Sequence, residues 1–227
     1  MVATVLNNLA ELYRNQRRFS KAEECQRRAL AIRERALGSE HPEVAITLNN
    51  LAALLHAQGR LGDAEPLARQ ALAIREKVHG PSHQEVGTAW NNLGQLLAER
   101  GRHAEAEEMF RRALTIWEGA LGPGHPRVAA CVNNLAAHYT RQRAFPRAEP
   151  LYQRALAIWE ERFGPDDPNV ATALEGYALM LRKSGRGKEA RPMEARARAI
   201  RERQLQDNLA QHWVDARDPR ASSQSLR

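Results

Sequence analysis

Histidines recur at a fixed spacing in this sequence and are the first side chains to test for metal chemistry. His41, His83 and His125 lie 42 residues apart, and Asp167 stands at the next position of the series. The ligands of one zinc ion must all lie within about 2.0–2.1 Å of it, so they must come together in the fold. One histidine per 42 residues instead favours a capping role in a turn. We therefore predict no metal site.

Other candidate chemistry is weak. Residues 184–189 (SGRGKE) faintly resemble a phosphate-binding loop but lack the Gly-x-x-x-x-Gly-Lys-Ser/Thr spacing. Cys25 and Cys131 are too few and too far apart for a disulfide scaffold or a thiolate zinc site. The helical registers bring together no Ser/His/Asp or Cys/His group and no paired carboxylates. We therefore predict a protein that is not an enzyme and uses no cofactor.

The histidine spacing belongs to an internal repeat of 42 residues, and a fixed period of this length is the signature of a repeat architecture. A valine opens each copy, at Val2, Val44, Val86, Val128 and Val170. Four copies share a pair of asparagines, at Asn7-Asn8, Asn49-Asn50, Asn91-Asn92 and Asn133-Asn134. The fifth copy has Glu175-Gly176 in place of that pair.

Each copy contains two helical patterns. In the second copy, apolar residues spaced by three and four predict a helix from Val44 to about Gln58, which Gly59 ends. A second helix is predicted from about Asp63 to about Val78. Arg17 and Arg143 stand at the position of Gly59 in copies one and four, so we expect looser turns there.

Composition agrees with an all-helical protein. The 227 residues are 43% apolar and only 5% aromatic, and Ala, Leu, Glu, Arg and Gln, which are strong helix formers, dominate. This apolar fraction excludes a disordered chain, and the scarcity of β-branched and aromatic residues excludes most β-folds. No apolar run approaches the roughly 20 residues that span a bilayer, and no signal peptide is evident. We expect a soluble, cytoplasmic protein.

The unit resembles a tetratricopeptide repeat (TPR), in the 42-residue form of the kinesin light chain family and its bacterial relatives. The string LNNLAALLHAQGRLGDAEPLARQALAIREKVHGPSHQEV and its near copies carry the resemblance, from Val2 to about Arg203. It implies a right-handed α-solenoid of about five helix-turn-helix units in one domain, residues 1–214. The units are placed at about 2–43, 44–85, 86–127, 128–169 and 170–206. Leu205, Leu209 and Trp213 favour an extended C-terminal capping helix, and residues 215–227 are expected to be a disordered polar tail.

In this family the first helix of each unit lines a concave groove, so the resemblance implies a peptide-binding surface. The matching positions that we select are Asn7, Asn49, Asn91, Asn133, Arg14, His56, Thr88, Gln95, Thr140, Arg141, Arg182 and Lys183. Asparagine is a mediocre helix former, so repeated pairs in mid-helix need a reason. Their amides could hydrogen-bond the backbone of an extended peptide, or could link neighbouring units. We favour ligand contact for the first Asn of each pair and leave the second open.

Charge is concentrated near the end of the repeats. The chain has 34 Lys and Arg against 27 Asp and Glu, a net charge of +7. Nine basic and three acidic residues between Gly176 and Gln206 contribute 9 − 3 = +6 of this. Arg141, Arg182 and Lys183 are groove positions, which indicates an electropositive end for an acidic peptide. The kinesin light chain resemblance implies the same preference.

Three tryptophans need an interpretation. Trp117 and Trp159 are equivalent, and each could either pack against the next unit or form an exposed binding hot spot. Trp90 replaces leucine or valine of the other units and is expected to be a core residue.

The sequence thus predicts a non-enzymatic scaffold that binds an extended, acidic segment of a partner protein. The alternative is a structural subunit that self-associates through the N-terminal edge of the solenoid, as a possible homo-oligomer, because the first unit starts without a preceding turn. Nucleic-acid binding is disfavoured, since no aromatic platforms interleave with the basic residues of the fifth unit. We expect no membrane partner.

Overall fold

The computed structural model describes the backbone of residues 1–215 and the side chains of residues 1–207. Within that range the chain forms ten α-helices and no strand, which confirms the predicted all-α fold of five helical hairpins. The helices are α1 (Val2–Asn15), α2 (Phe19–Leu37), α3 (Pro42–Ala57), α4 (Leu61–His79), α5 (Gln84–Glu99), α6 (His103–Leu121), α7 (Pro126–Arg141), α8 (Phe145–Phe163), α9 (Pro168–Lys183) and α10 (Gly187–Asp215).

The last helix is longer than the others, at 29 residues, as the predicted cap requires. The side chains of Leu209 and Trp213, and the tail beyond Asp215, lie outside the described residues. None of the described helices contains a stretch that is both long enough and apolar enough to cross a membrane.

The recurring histidines cap helices. The Nδ1 atom of His41 accepts a hydrogen bond from the backbone N–H of Glu43 at 3.2 Å, at the start of α3. His83, His125 and Asp167 accept the same bond before α5, α7 and α9. Each cap satisfies one of the backbone N–H groups that a helix N-terminus leaves without a partner. The predicted capping role is therefore confirmed.

The turn inside each hairpin has one geometry whichever residue occupies it. Gly59 has φ 75°, and Arg17 and Arg143 have φ 58° and 60°. The hydrogen bond that closes the turn is also the same, at 2.9 Å from Arg60 N to Leu55 O and at 2.8 Å in the first hairpin. The expectation of looser turns at the arginines is wrong. A left-handed backbone conformation costs about 1–2 kcal/mol for a residue other than glycine, and the hydrogen bonds that close the turn offset this cost.

The chain divides into two compact units, with the boundary inside α7. The first, Met1–Asn134, contains α1 to α6 and the start of α7. Its core is built from valine, leucine and alanine of successive hairpins, including Val44, Leu51, Leu55, Val86, Leu93 and Leu97. The second begins at Leu135, and its core includes the larger side chains of Tyr152, Tyr177, Met180 and Ile200.

Two glycines, each on the first helix of a hairpin, leave space for an aromatic ring. In the first unit, a Cβ on Gly94 would lie 2.9 Å from the ring of Phe110. In the second unit, a Cβ on Gly176 would lie 2.9 Å from the ring of Tyr152. Contacts this short do not occur between real side chains, so glycine is required at both positions for the rings to pack where they do.

The tryptophans divide between core and surface. Trp117 is 3% exposed and donates from Nε1 to the backbone oxygen of Gln84 at 3.1 Å, and Trp159 is 4% exposed. The packing interpretation is therefore confirmed, and the hot-spot interpretation is wrong. Trp90 is only half-buried, with the guanidinium of Arg112 at 4.9 Å from its ring centroid. Its expected core position is wrong, because the indole is larger than the space that Leu48 fills in the preceding hairpin.

Candidate functional site

Three of the predicted site residues come together in the first unit. Asn49, His56 and Gln95 line one cavity of about 110 Å³ between α3, α4 and α5. Asn92 is the fourth polar residue of its wall, and Ala52, Ala53, Ala68 and Leu96 form the apolar part. The cavity therefore combines an apolar floor with amides and an imidazole, as a peptide-binding pocket requires. We call it the amide pocket.

The amide pocket exists because Ala68 on α4 is small. Its equivalents in the other units of the repeat are large or polar: Gln26, Phe110 and Tyr152, which are all buried, and Glu194. Ala68 is buried as well but fills little space, and Ala52 faces the same cavity. The sequence carries this signal, since the 42-residue alignment shows alanine only at Ala68 in that column.

The asparagine pairs link neighbouring hairpins. Asn92 donates from Nδ2 to Oδ1 of Asn49 at 3.0 Å, and Asn134 donates to Asn91 at 3.1 Å. The second Asn of one pair thus bonds the first Asn of the preceding pair, which confirms the linking interpretation for Asn92 and Asn134. The link uses only the oxygen of Asn49, so its Nδ2 donors remain for another acceptor.

The four first asparagines are not equivalent. Asn7, Asn49 and Asn133 are half-buried, whereas Asn91 is buried and its oxygen is occupied by Asn134. The Oδ1 atoms of Asn7 and Asn133 have no hydrogen-bond partner among the described residues. Asn91 is therefore the least accessible member of the predicted ladder, and Asn49 is the one that lines a cavity.

Other predicted residues in the first unit contact their own surroundings. The Nε2 atom of His56 lies 2.9 Å from Oε2 of Glu99, without the geometry of a hydrogen bond. Arg14 pairs with Glu11 at 2.7 Å, and both line a cavity of about 30 Å³. The hydroxyl of Thr88 donates to the backbone oxygen of Gln84 at 3.2 Å.

The predicted residues of the second unit are divided between surface and core. Arg141 and Lys183 are exposed and make no ion pair within the described residues. Arg182 is exposed too, but both carboxylate oxygens of Glu194 accept from it. Thr140 is 2% exposed and donates to the backbone oxygen of Ala136 at 2.9 Å. Its predicted place on an accessible surface is therefore wrong. Tyr152 on α8 covers it, and the two hydroxyl oxygens lie 3.3 Å apart.

The basic stretch near the end of the repeats is largely neutralised. Five of its nine basic residues pair with carboxylates of the second unit: Arg182 with Glu194, Arg186 with Glu149 and Glu189, Arg196 with Glu160, Arg201 with Glu175, and Arg203 with Asp166. The charge count therefore overstated the electropositive end. Arg141 and Lys183 are the groove positions there that carry charge without an ion-pair partner in the described part of the chain.

Sequence reasoning missed a carboxylate network that recurs between hairpins. In the first unit Glu65 is 6% exposed and accepts from Arg69 at 2.8 Å and Arg102 at 2.7 Å, with Arg100 also in contact. Burial raises the pKa of Glu65, but the hydrogen bonds from Arg69 and Arg102 outweigh it and hold the pKa below its usual value. The recoverable signal is the recurring separation of 37 residues in Glu23–Arg60, Glu65–Arg102 and Glu149–Arg186.

A tyrosine network in the second unit was missed as well. The hydroxyl of Tyr177 donates to Glu149 at 2.7 Å and accepts from Gln153 at 3.1 Å. The rings of Tyr177 and Tyr152 stack, with centroids 5.7 Å apart. Burial raises the pKa of Tyr177, while hydrogen bonds from Arg186 and Tyr177 lower the pKa of Glu149.

The chemistry of the amide pocket suits the binding of a ligand. Among the described residues no three His, Cys, Asp or Glu side chains group in a way that could hold a metal ion. The amide pocket offers hydrogen-bond donors and acceptors above an apolar floor, which suits recognition of a peptide.

Comparison with known families gives a match over most of the sequence. The tetratricopeptide repeat matches residues 1–77, 85–150 and 128–203. A search of curated proteins found no significant match.

Several solved structures have a similar fold. BtubC (BKLC) from P. vanneervenii is 27% identical, with a TM-score of 0.74 over 88% of this chain and 80% of that one. A Podosopora anserina protein assigned as a kinesin light chain, in its nearly identical TPR-like repeats, is 24% identical, with a TM-score of 0.71 over 88% and 95%. MamA is 15% identical, with a TM-score of 0.54 over 90% and 94%.

Proposed function

The chain belongs to the tetratricopeptide repeat family, and from this premise we propose that it is a scaffold that holds an extended peptide segment of a partner protein at the amide pocket. Proteins of this family generally mediate protein–protein interactions and are typically not enzymes. The observation that supports the finer proposal is the amide pocket itself, which joins Asn49, His56, Asn92 and Gln95 above an apolar floor.

The chemistry of the pocket specifies what part of a peptide it takes. Its volume of about 110 Å³ is smaller than the roughly 150 Å³ cavity that holds benzene in an engineered protein core. An aliphatic side chain of the peptide therefore suits the floor better than an aromatic one. The donors left on Asn49 and Gln95 are available to backbone carbonyl groups on either side of that side chain.

An acidic segment is the preferred ligand. Arg141 and Lys183 on the second unit are exposed cations without an ion-pair partner among residues 1–207. An acidic residue beside Arg141 or Lys183 would therefore gain charge attraction without displacing an existing ion pair.

Closing the amide pocket tests the proposal. The double substitution Ala52→Gly with Ala68→Phe reproduces the Gly94 and Phe110 pair of the next hairpin, so the ring should enter the pocket without a backbone clash. Wild type and variant are compared in a pull-down from source-cell lysate, after circular dichroism has shown equal helicity. We expect the wild type to retain a protein that the variant loses.

A matched control distinguishes the effect of closing the pocket from the effect of adding an aromatic ring to the surface. Ala73 is exposed on the same helix, so Ala73→Phe adds the same ring outside the amide pocket. This variant should retain the partner. If the pocket-closing variant retains it too, the amide pocket is not the binding site.

A further inference from the structure

Helix α1 exposes an apolar stripe. Val2, Val5 and Leu12 are 62%, 60% and 58% exposed, and Leu9 between them is half-buried. Their spacing of three, four and three residues is that of the a and d positions of a heptad, which places them along one seam of the helix. We call these four residues the α1 seam.

The α1 seam is not shaped like the surface that the other hairpins present. Where a preceding hairpin packs on a first helix, the position of Val5 is held by a smaller residue, and each of these is buried: Thr47, Ala89, Cys131 and Ala173. Only at the first helix does a branched apolar residue occupy this position. Another hairpin stacked in the same manner would therefore meet a bulkier surface, and overpacking of this kind costs about 1–3 kcal/mol.

The last hairpin presents the opposite kind of surface. Glu194 and Arg201 stand at positions where earlier hairpins bury Phe110 or Tyr152, and Trp117 or Trp159. They line a charged cavity together with Arg198 and Arg182. A charged outer face is what a terminal repeat uses to remain in water. Leu179, which is 50% exposed, is the one large apolar side chain in the lining of that cavity. A head-to-tail contact with the α1 seam of a second molecule would therefore have to take Glu194, Arg198 and Arg201 out of water, which is costly.

We propose that the α1 seam is a homodimer interface, in which the α1 helices of two copies of this chain pair antiparallel about a two-fold axis. Val2 of one copy then lies near Leu12 of the other, and Val5 lies near Leu9. Asn8 and Asn15, which flank the seam on one side, are uncharged, so two identical helices meet without like-charge repulsion along that side. Antiparallel pairing also opposes the two helix dipoles. Ile32 on α2, the other helix of this hairpin, is also exposed, at 38%.

The interface is small, so the dimer is weak. Helix α1 has 14 residues, and a contact built on one such helix from each copy falls below the roughly 1,200 Å² of a standard interface. The mass should therefore depend on protein concentration, and we expect dimer formation in the range of about 10 to 100 μM.

Sedimentation equilibrium of the full chain over about 1 to 200 μM tests the proposal. Wild type should move from monomer to dimer and no further. Val5→Glu and Leu12→Glu each place a charge in the α1 seam and should remain monomeric throughout, with unchanged helicity. Phe163→Glu alters an exposed apolar residue elsewhere and should dimerise like wild type.

Three results would overturn the proposal. The first is a wild type that is monomeric at every concentration, and the second is a dimer that survives Val5→Glu and Leu12→Glu. The third is growth into trimers and longer species, which would indicate head-to-tail contact. The antiparallel arrangement has its own test: an equimolar mixture of Val2→Cys and Leu12→Cys should form a disulfide between the two variants faster than either variant does alone.

Discussion

The two compact units use one backbone repeat but link their helices with different side chains. In the first unit the polar link between hairpins is amide to amide, from Asn92 to Asn49. In the second unit it is phenol to carboxylate, from Tyr177 to Glu149. The fifth repeat has Gly176 at the position of Asn92, so the second unit cannot make the amide link there.

The contacts between carboxylates and arginines, in contrast, are alike in the two units. Both units have them at the same separation of 37 residues. Glu65 pairs with Arg102 in the first unit, and Glu149 pairs with Arg186 in the second. The carboxylate contact therefore recurs in three places, although Ala144 replaces the arginine in the fourth repeat, while the polar floor varies more. The variable floor is where the amide pocket lies, and Asn49 and Asn92 both line that pocket and link two hairpins.

Removal of the shared carboxylate should have the largest effect, and a larger one in the first unit. Glu65→Ala leaves Arg100 and Arg102 without their buried acceptor, and we expect a loss of about 2 kcal/mol of unfolding free energy. The side chain of Glu149 is 25% exposed, so Glu149→Ala should cost about half as much, on the order of 1 kcal/mol. Urea unfolding followed by circular dichroism measures both. Equal losses would show that burial does not separate the two sites.

The same carboxylates make stability depend on acid. Glu65 and Glu149 have pKa values held below the ordinary value in the folded chain. A carboxylate of this kind stabilises fully above its unfolded pKa of about 4.3, and the contribution is lost as the pH falls through its folded pKa. The midpoint of thermal unfolding should therefore stay level above about pH 5 and fall below about pH 4. Glu65→Gln should flatten that fall, and an unchanged profile would contradict the assignment.

Rebuilding the amide in the second unit should destabilise it. Gly176→Asn restores the residue type of Asn92 and Asn134, but its Cβ would lie 2.9 Å from the ring of Tyr152. We expect a loss of about 2 kcal/mol, as overpacking typically causes. The double variant Gly176→Asn with Tyr152→Ala removes the clash, and it should lose less stability than the sum of the two single variants. Strict additivity would show that the ring does not set the choice of glycine.

Much of the fold follows from the sequence, because the repeat aligns caps, turns and core positions five times over. The histidine caps, the positions of the hairpin turns and buried alanines such as Ala22 and Ala64 could each be predicted from one column of the repeat. The geometry of the turns at Arg17 and Arg143 could not, since looser turns were expected there. The candidate site was less predictable, because it depends on differences between columns. Thr140 is at a groove position by register, yet Tyr152 buries it, and the amide pocket forms only because Ala68 is small.

A buried arginine gives the smallest predicted effect and the finest test of the first unit. Arg33 donates to the hydroxyl of Thr47 at 2.5 Å, whereas its equivalent Arg75 has Ala89 at the matching position and an Nη1 atom without a hydrogen-bond partner. Burial lowers the pKa of Arg75, and Glu85 is 3.9 Å away.

Ala89→Thr supplies the missing acceptor and should raise the unfolding free energy by about 1 kcal/mol. Ala89→Val has the same shape without the hydroxyl, so it measures the packing contribution alone. If the two variants are equally stable, the hydroxyl makes no bond, and the Nη1 atom of Arg75 without a hydrogen-bond partner is not a defect of this junction. If Ala89→Thr has a higher unfolding free energy than Ala89→Val, the wild-type chain leaves a hydrogen bond of Arg75 unmade. The equivalent hydrogen bond of Arg33 is made at the neighbouring junction.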